Sequence, residues 1–415
     1  MADVRAAAED VFRAESGRIL AALIRICGSF DRAEEAMQEA FASALASWQV
    51  KGLPRNPAAW IMAAAHRKLI DAARRERTRR DRQDSLAYET PAAAFPLTDI
   101  EEDRMTFPDD RLRLIFTCCH PALNMEAQVA LTLRTLGGLS TPEIAKAFLL
   151  PEATLAQRLV RAKRKIQEAR IPYEVPPVDR LPERLSAVQA VVYLIFNEGY
   201  AASSGTELVR ADLCAEAIRL GRVLCELMPG DGGNRGLLAL MLLHHSRRDA
   251  RSVNGELVTL EEQDRGVWDR EAIAEGLALV ETALRAGPAG PYQIQAAIAA
   301  LHARAGRPEE TDWPQIAALY EILLEMTPSA VIALNHAAAV AMSGRVEEGL
   351  HRIEELGNRG GLEGYYLFHA ARADLLRRLH RHREAAAAYG QAIALATNPI
   401  EVKYLERRLH ELQAG

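Results

Sequence analysis

The sequence predicts an all-α protein, and three patterns carry that prediction. In the N-terminal part, apolar residues recur at the spacing of an amphipathic helix, at Met37, Phe41, Leu45 and Trp48. A second stripe with the same spacing lies further along the chain, at Leu155, Leu159, Ala162 and Ile166. In the C-terminal half, small residues recur at the period of a helical hairpin. We therefore expect two small helical domains followed by a larger helical-repeat domain.

Length and composition agree with several soluble helical domains. The chain has 415 residues, which corresponds to about three domains of ordinary size. Its residues are 49% hydrophobic and 26% charged, which is enough to form buried cores. The longest apolar runs fall short of a membrane-spanning helix, and the N-terminus lacks the apolar core of a signal peptide. We expect a cytoplasmic protein with no membrane partner.

The charges are strongly segregated along the chain, although the formal net charge is only −5. Lys51 to Arg82 holds ten basic and three acidic residues, and Pro151 to Arg170 holds six and two. Between them, Gln83 to Asp110 holds one basic and eight acidic residues. Such basic runs also occur on ordinary solvated helices, so charge alone leaves both interpretations open. Two basic blocks around an acidic linker at 83–110 are typical of two joined nucleic-acid modules.

The first segment, residues 1–82, is predicted to be helical with one acidic face. Asp31 is placed to cap the helix that carries Met37. The side of this helix away from the apolar stripe carries Glu34, Glu35, Gln38 and Glu39. After a break at KGLPRNP, a second helix begins near Trp60 and ends in ARRERTRR. This segment therefore combines an acidic helix with a basic one.

The second segment, residues 111–172, has the pattern of a helix-turn-helix. Ser140 and Glu143 have the spacing of a capping box, which starts a short helix. A second helix begins near Glu152 after FLLP. Away from its apolar stripe it carries polar and cationic residues, namely Thr154, Gln157, Arg158, Arg161, Arg164 and Lys165. Such a surface suits the major groove of DNA.

The third segment, residues 181–415, follows the Pro-rich boundary IPYEVPPVDRLP. Ala337 and Gly349 recur 36 residues later as Ala373 and Ala385, which is close to the tetratricopeptide period. The dipeptide Asn254-Gly255 predicts a small β-hairpin with a type I′ turn. Helical repeats form concave surfaces, so this segment is expected to hold a peptide or protein partner.

Candidates for chemistry are few. We interpret GDGGNRG at Gly230 as a turn between hairpins, because it lacks the Lys of a phosphate-binding loop. Glu198 is either part of a ligand site or, as we favour, part of a helix end capped by left-handed Gly199. Cys118 and Cys119 are expected to be buried rather than to bind metal. We therefore predict no enzyme activity, no metal and no cofactor.

Three stretches resemble bacterial sigma-70-type sigma factors. DRAEEAMQEAFASALASW and AWIMAAAHRKLIDAARRERTRR resemble conserved region two, and LSTPEIAKAFLLPEATLAQRLVRAKRKI resembles region four. No stretch between them resembles regions one or three. This minimal layout resembles that of the extracytoplasmic-function group. The long tail, with CCHPALN and YLIFNEGYAASSG, resembles the subgroup with a C-terminal tetratricopeptide-like extension.

The resemblance implies binding to core RNA polymerase and to promoter DNA. The polymerase elements are the beta-prime coiled coil and the beta flap, and the residues implied at the coiled coil are Glu34, Glu35, Gln38 and Glu39. The residues implied at the minus-ten element are Trp60, Arg67, Lys68, Arg74, Arg75 and Arg77. Those implied at the minus-thirty-five element are Thr154, Gln157, Arg158, Arg161 and Lys165.

Two interpretations remain at this point. The first is a sigma factor regulated by its repeat domain. The alternative is a one-component helix-turn-helix regulator with a helical-repeat sensor, which leaves the first segment unexplained. An enzyme or scaffold built on the repeats leaves both basic blocks unexplained.

Overall fold

The computed structural model describes residues 4–83, 110–148, 150–201, 209–253 and 255–414, without the side chains of Arg13, 77–83, Lys146, Ala147 and Ala414. The predicted linker at 83–110 thus lies almost entirely outside the described residues. The all-α prediction is confirmed: the described chain is helical apart from its loops and one pair of short strands. None of the described helices has the length and apolar character needed to cross a membrane.

The chain forms two compact units, Met1–Val191 and Val192–Gly415. The first unit contains α1 Val4–Cys27, α2 Phe30–Lys51, α3 Pro57–Gln83, α4 Arg111–Cys118, α5 Met125–Thr135, α6 Thr141–Ala147 and α7 Glu152–Glu168. The next helix, α8 Leu181–Tyr200, includes the boundary between the units.

Helix α2 begins two residues earlier than the sequence indicated. Its N-cap is Ser29, whose Oγ accepts a hydrogen bond from the Arg32 backbone N–H at 3.4 Å. The prediction that Asp31 caps this helix is therefore wrong; Asp31 lies in the first turn, where a negative charge favours the helix dipole. Met37 and Trp48 are buried as predicted, whereas Leu45 is 38% exposed. Phe30 and four alanines complete the buried face, Ala33, Ala36, Ala40 and Ala44.

The helix-turn-helix forms as the sequence predicted. The Ser140 backbone N–H donates to Glu143 Oε2 at 2.7 Å, and the Glu143 backbone N–H donates to Ser140 Oγ at 3.4 Å. This reciprocal capping box holds the start of α6. Helix α7 buries all four residues of the predicted stripe, Leu155, Leu159, Ala162 and Ile166.

The two predicted N-terminal domains pack on each other within the first unit. Helix α1 contacts α4 and α5. Arg25 Nε donates to Asp110 Oδ2 at 2.6 Å, and Asp110 is only 3% exposed. The Tyr173 hydroxyl donates to the Ala21 carbonyl oxygen at 2.8 Å. Burial, and next the nearby Asp110 charge, raises the pKa of Tyr173 above its usual range, so this donor keeps its proton.

The second unit continues with α9 Ala211–Leu227, α10 Gly232–His245, β1 Ser252–Val253, β2 Glu256–Leu257, α11 Arg270–Arg285, α12 Pro291–Arg304, α13 Trp313–Met326, α14 Ala330–Met342, α15 Val346–Arg359, α16 Tyr366–Arg378, α17 His382–Leu395 and α18 Pro399–Ala414. Strands β1 and β2 are antiparallel, with Val253 opposite Glu256. This is the predicted hairpin. Asn254 of its turn lies outside the described residues, and Gly255 has φ of +73°.

The repeated small residues lie where helices approach closely. Ala337, Ala373, Ala385 and Gly349 are all buried, in the consecutive hairpins α14–α15 and α16–α17. A Cβ atom on Gly349 would lie 2.7 Å from the Ala337 carbonyl oxygen. The period seen in the sequence is therefore a period of close backbone approaches.

Two glycine predictions need correction. Gly199 is not a left-handed cap, because α8 continues through it to Tyr200. A Cβ on Gly199 would lie 2.7 Å from the Cys214 backbone nitrogen, so the glycine permits α8 and α9 to touch. The turn predicted over GDGGNRG holds at Gly230 but ends at Asp231, and the residues from Gly232 onward belong to α10. Asp231 caps this helix by accepting a hydrogen bond from the Asn234 backbone N–H at 2.7 Å.

Cys118 and Cys119 are both buried, as predicted. Their sulfur atoms lie 3.3 Å from Thr135 Oγ1 and 3.6 Å from Thr132 Oγ1. Burial raises the pKa of Cys119 to about 12, so the thiol is protonated at neutral pH.

Candidate nucleic-acid interface

Helix α7 presents an exposed polar row beside its buried stripe. The row contains four of the five residues predicted at the minus-thirty-five element, Thr154, Gln157, Arg161 and Lys165. Arg161 Nη2 donates to Gln157 Oε1 at 3.1 Å, which holds an amide and a guanidinium side by side. Both groups have donors that match base edges or phosphates in a groove.

Arg158, the fifth residue, is less accessible than the sequence suggested. Its side chain is 27% exposed, and its Nη2 lies 3.1 Å from Glu126 Oε2 in the first turn of α5. In helical geometry Arg158 lies three residues after Leu155 and four before Ala162, at one edge of the buried stripe. The ion pair turns its cation toward α5, so Arg158 must leave Glu126 before it can contact a base.

Lys163 lies at the opposite edge of the same stripe, and it was not among the residues predicted from the sequence. Its Nζ is 2.8 Å from Glu34 Oε2 and 3.0 Å from Asp31 Oδ1, both on α2. The side chain is only 13% exposed. One signal was present in the sequence: Lys163 follows Leu159 by four residues and precedes Ile166 by three, which places it beside the core.

The acidic face of α2 is therefore divided. Glu34 is 14% exposed and is bound by Lys163, and its Oε1 atom has no hydrogen-bond partner among the described residues. Glu35, Gln38 and Glu39 are exposed. Of these, Glu39 Oε2 lies 3.2 Å from Lys68 Nζ on α3. The four residues predicted to bind polymerase thus lie on one helix, but only three face solvent.

Helix α3 carries the residues predicted at the minus-ten element. Arg67, Arg74 and Arg75 are exposed, whereas Lys68 is half-buried beside Glu39. Trp60 is half-buried, and its ring lies 5.6 Å from that of Trp48 in an edge-to-face arrangement. The side chain of Arg77 lies outside the described residues. This helix therefore presents a basic surface at its C-terminal half and an aromatic contact at its start.

The described residues contain no group of three or more His, Cys, Asp and Glu placed to hold a metal ion. The exposed side chains of α3 and α7 carry guanidinium, ammonium and amide donors. Such groups bind phosphates and read base edges.

Comparisons with known proteins follow the same division of the chain. Residues 11–79 match the model for Sigma-70 region 2, and residues 113–166 match that for Sigma-70, region 4. Residues 184–284 match a family of unknown function, DUF6596.

Two relatives extend these matches. An uncharacterized protein, R00370 from Rhizobium meliloti (strain 1021), is 46% identical over 400 residues, which is 95% of this chain and 93% of the relative. The probable ECF RNA polymerase sigma factor SigI from Mycobacterium tuberculosis (strain ATCC 25618 / H37Rv) is 30% identical over 167 residues. That alignment covers 40% of this chain and 56% of SigI.

Proposed function

We propose that this chain is a sigma-70-type RNA polymerase sigma factor, because residues 11–79 and 113–166 match the models for Sigma-70 region 2 and region 4. In this proposal it binds core polymerase and directs promoter recognition and transcription initiation. We assign it to the extracytoplasmic-function group, since the two regions follow each other and SigI is a relative. In this proposal it acts in the cytoplasm and has no catalysis of its own.

The observation that carries the proposal is the exposed row on α7. Thr154, Gln157, Arg161 and Lys165 share one accessible surface of the second helix of a helix-turn-helix. In this motif the second helix enters the major groove. The row supports recognition of the minus-thirty-five element, with Gln157 contacting a base edge and Arg161 and Lys165 contacting phosphates. Arg158 joins them once its pair with Glu126 opens.

The basic surface of α3 supports capture of the minus-ten element. Arg67, Arg74 and Arg75 are exposed and provide cations for the phosphates of a separated strand. Lys68 and Trp60 border this surface. The sixth residue predicted at this element, Arg77, has its side chain outside the described residues. Because Trp60 is half-buried against Trp48, its role in this proposal is to wall a base pocket rather than to protrude between bases.

The acidic face of α2 supports docking on the beta-prime coiled coil, with region 4 meeting the beta flap. Glu35 and Gln38 are exposed, so a basic helical partner can approach them. Glu34 and Asp31 are already paired with Lys163 of α7. A partner that binds this whole face must therefore displace Lys163, which would separate α7 from α2.

The second unit is proposed to regulate these activities. Its buried small residues in α14–α15 and α16–α17 support a tetratricopeptide-like repeat with a protein or peptide partner. We expect a required, positive contribution to transcription from this unit, as in the subgroup with a C-terminal extension.

The proposal is tested by transcription with purified full-length protein, core polymerase and a genomic promoter library. New start sites are expected with this protein as the sole specificity factor. If transcripts appear only when another sigma factor is added, the protein is instead a helix-turn-helix regulator.

A charge reversal tests the docking surface in a binding assay that measures capture of core polymerase. Glu35→Lys should abolish capture of core polymerase, because like charges across a contact cost several kcal/mol. Asp10→Lys is the matched control, since Asp10 is another exposed acid of the first unit. Equal capture by both variants would contradict docking through α2.

A further inference from the structure

Among the described residues, two arginines of the second unit form no ion pair with a carboxylate. Arg247 and Arg251 follow the end of α10, and both are half-buried. In the part of the chain that the structure describes, no Asp or Glu lies within ion-pair distance of either one. Arg248, between them, is paired normally: its Nη1 lies 3.1 Å from Asp269 Oδ2. Burying a cation without a counter-charge is costly, so these two guanidinium groups require an explanation.

Tyr200, at the end of α8, brings the two arginines together. The guanidinium carbon of Arg251 lies 3.7 Å from the centroid of the Tyr200 ring, and that of Arg247 lies 5.7 Å from it. Arg251 also donates a hydrogen bond to the Tyr200 carbonyl oxygen. An aromatic face attracts cations but does not neutralise them. The ring therefore holds two positive charges near each other.

The neighbouring histidines add donors but no charge. His244 Nδ1 lies 3.2 Å from Arg247 Nη2, and the His244 ring lies 5.2 Å from the Tyr200 ring. Burial, and then the nearby arginines, keeps the pKa of His244 well below its usual value. The same causes lower the pKa of His302 to about 3. Both imidazoles are thus neutral at neutral pH, and the positive charge stays on the arginines. Glu401 of α18 interacts electrostatically with Arg251 but lies beyond ion-pair distance.

A third nearby arginine is held by the fold through both of its terminal Nη atoms. Arg265 is 5% exposed, and its Nη1 donates to the carbonyl oxygens of His302 and Ala305, each at 2.7 Å. By contrast, within the part of the chain that the structure describes, Arg247 and Arg251 each make one hydrogen bond through a guanidinium that has five N–H donors. These two side chains therefore have donors to spare.

We propose that Arg247 and Arg251 form a binding site for a small molecule with a phosphate monoester group. Guanidinium groups match phosphate oxygens in geometry. A phosphate monoester carries about −1.5 to −2 charge at neutral pH, which offsets both arginines, whereas a carboxylate offsets only one. The neutral His244 imidazole provides a further polar contact. This site is independent of the polymerase and DNA surfaces of the first unit.

The test measures binding to the full-length protein by calorimetry and by the melting temperature. The probes are phenyl phosphate, inorganic phosphate and benzoate. Phenyl phosphate should bind most tightly and raise the melting temperature, while benzoate should bind more weakly. Arg247→Gln and Arg251→Gln should each weaken phenyl phosphate binding about tenfold or more. Arg248→Gln removes a neighbouring charge that is already paired, and it should leave binding unchanged.

Several outcomes would overturn the proposal. Binding of inorganic phosphate without tighter binding of phenyl phosphate would exclude an ester, and equal binding of benzoate would exclude phosphate selectivity. In phosphate-free buffer, Arg247→Gln should not lower the melting temperature, because it removes repulsion from Arg251. A lower melting temperature for this variant, with no response of the wild type to any probe, would assign the arginines to the fold alone.

Discussion

Lys163 of α7 and Glu34 of α2 form an ion pair of 2.8 Å, and their side chains are only 13% and 14% exposed. One partner lies on the helix proposed to read the minus-thirty-five element. The other lies on the helix proposed to bind polymerase. In the described arrangement Lys163 covers part of the acidic face that is proposed to bind polymerase. The two proposed surfaces are therefore connected through one pair of side chains.

Breaking this pair should loosen the first unit. Lys163→Ala leaves the Glu34 carboxylate with little solvent and no cation at 2.8 Å, so the free energy of unfolding should fall by about 1 to 3 kcal/mol. Urea unfolding measures the change. A double-mutant cycle with Glu34→Gln should return a coupling of about 1 kcal/mol or more. Lys165→Ala, at an exposed position of the same helix, should change stability by no more than about 0.5 kcal/mol.

The same variant should bind polymerase better. Without Lys163, a basic partner meets Glu34 and Asp31 without an internal competitor. Capture of core polymerase by Lys163→Ala should thus exceed that of the wild type. Weaker capture by this variant would show that Lys163 does not compete with polymerase.

Promoter preference should depend on Gln157 and Arg158. Replacing either by Ala should cost about 1 to 3 kcal/mol at one base position and relax the preference there. Arg161→Ala should instead lower the affinity for all DNA sequences alike and reduce the salt dependence of binding.

Glu126→Ala releases Arg158 from its 3.1 Å ion pair and should strengthen DNA binding. Transcription of a promoter library, with binding measured at several salt concentrations, checks all four variants. Unchanged preference in the first two would refute the assignment.

Close helix packing in the second unit can be tested by a matched pair of glycines. A Cβ on Gly349 would lie 2.5 Å from the Ala341 Cβ and 2.7 Å from the Ala337 carbonyl oxygen. Gly349→Ala should therefore destabilise the protein by about 1 to 3 kcal/mol. Gly390 lies within α17 with no atom inside 4 Å of its Cβ position, so Gly390→Ala should stabilise by up to about 1 kcal/mol. Thermal unfolding measures the stability of both variants. Equal changes in their melting temperatures would argue against tight packing of α14 on α15.

The stability of a truncated chain should depend on whether the cut removes Arg184 of α8. Arg184 Nη2 donates to the Phe116 carbonyl oxygen at 2.5 Å, and its guanidinium lies 6.0 Å from the Phe116 ring. A chain cut after Ile171 loses these contacts, whereas a chain cut after Tyr200 keeps them. The shorter chain should be less stable, and Arg184→Ala in the longer one should reproduce about 1 to 3 kcal/mol of the loss. Urea unfolding of the three proteins measures this.

The chain ending at Tyr200 also allows the contribution of the second unit to transcription to be tested. Transcription by the full-length protein should exceed that by the chain ending at Tyr200 severalfold. Equal activity of the two across a range of salt would exclude a role for the second unit in transcription.

Local patterns made much of the fold predictable. The stripe from Leu155 to Ile166 is buried because helical spacing fixes which residues share a face. The Ser140–Glu143 capping box is likewise a local interaction, and both of its hydrogen bonds form. Four of the five predicted residues at the minus-thirty-five row are exposed for the same reason.

Long-range contacts were not predictable in this way. The fate of Lys163 depends on Asp31 and Glu34, more than a hundred residues earlier in the chain. The prediction of a cap at Gly199 was wrong because the role of this glycine is set by Cys214 of the neighbouring helix. In both cases the decisive partner is fixed by tertiary packing, which spacing within one helix does not encode.

The two hydrogen bonds from Arg265 to the carbonyl oxygens of His302 and Ala305 also affect the order of folding during synthesis. Arg265 leaves the ribosome before either acceptor has been synthesised, because they lie 37 and 40 residues further along the chain. Until then its guanidinium has to remain hydrated, since burying it without these acceptors is costly. The turn around Arg265 therefore closes only after α12 has emerged, and this part of the second unit matures late and together rather than hairpin by hairpin.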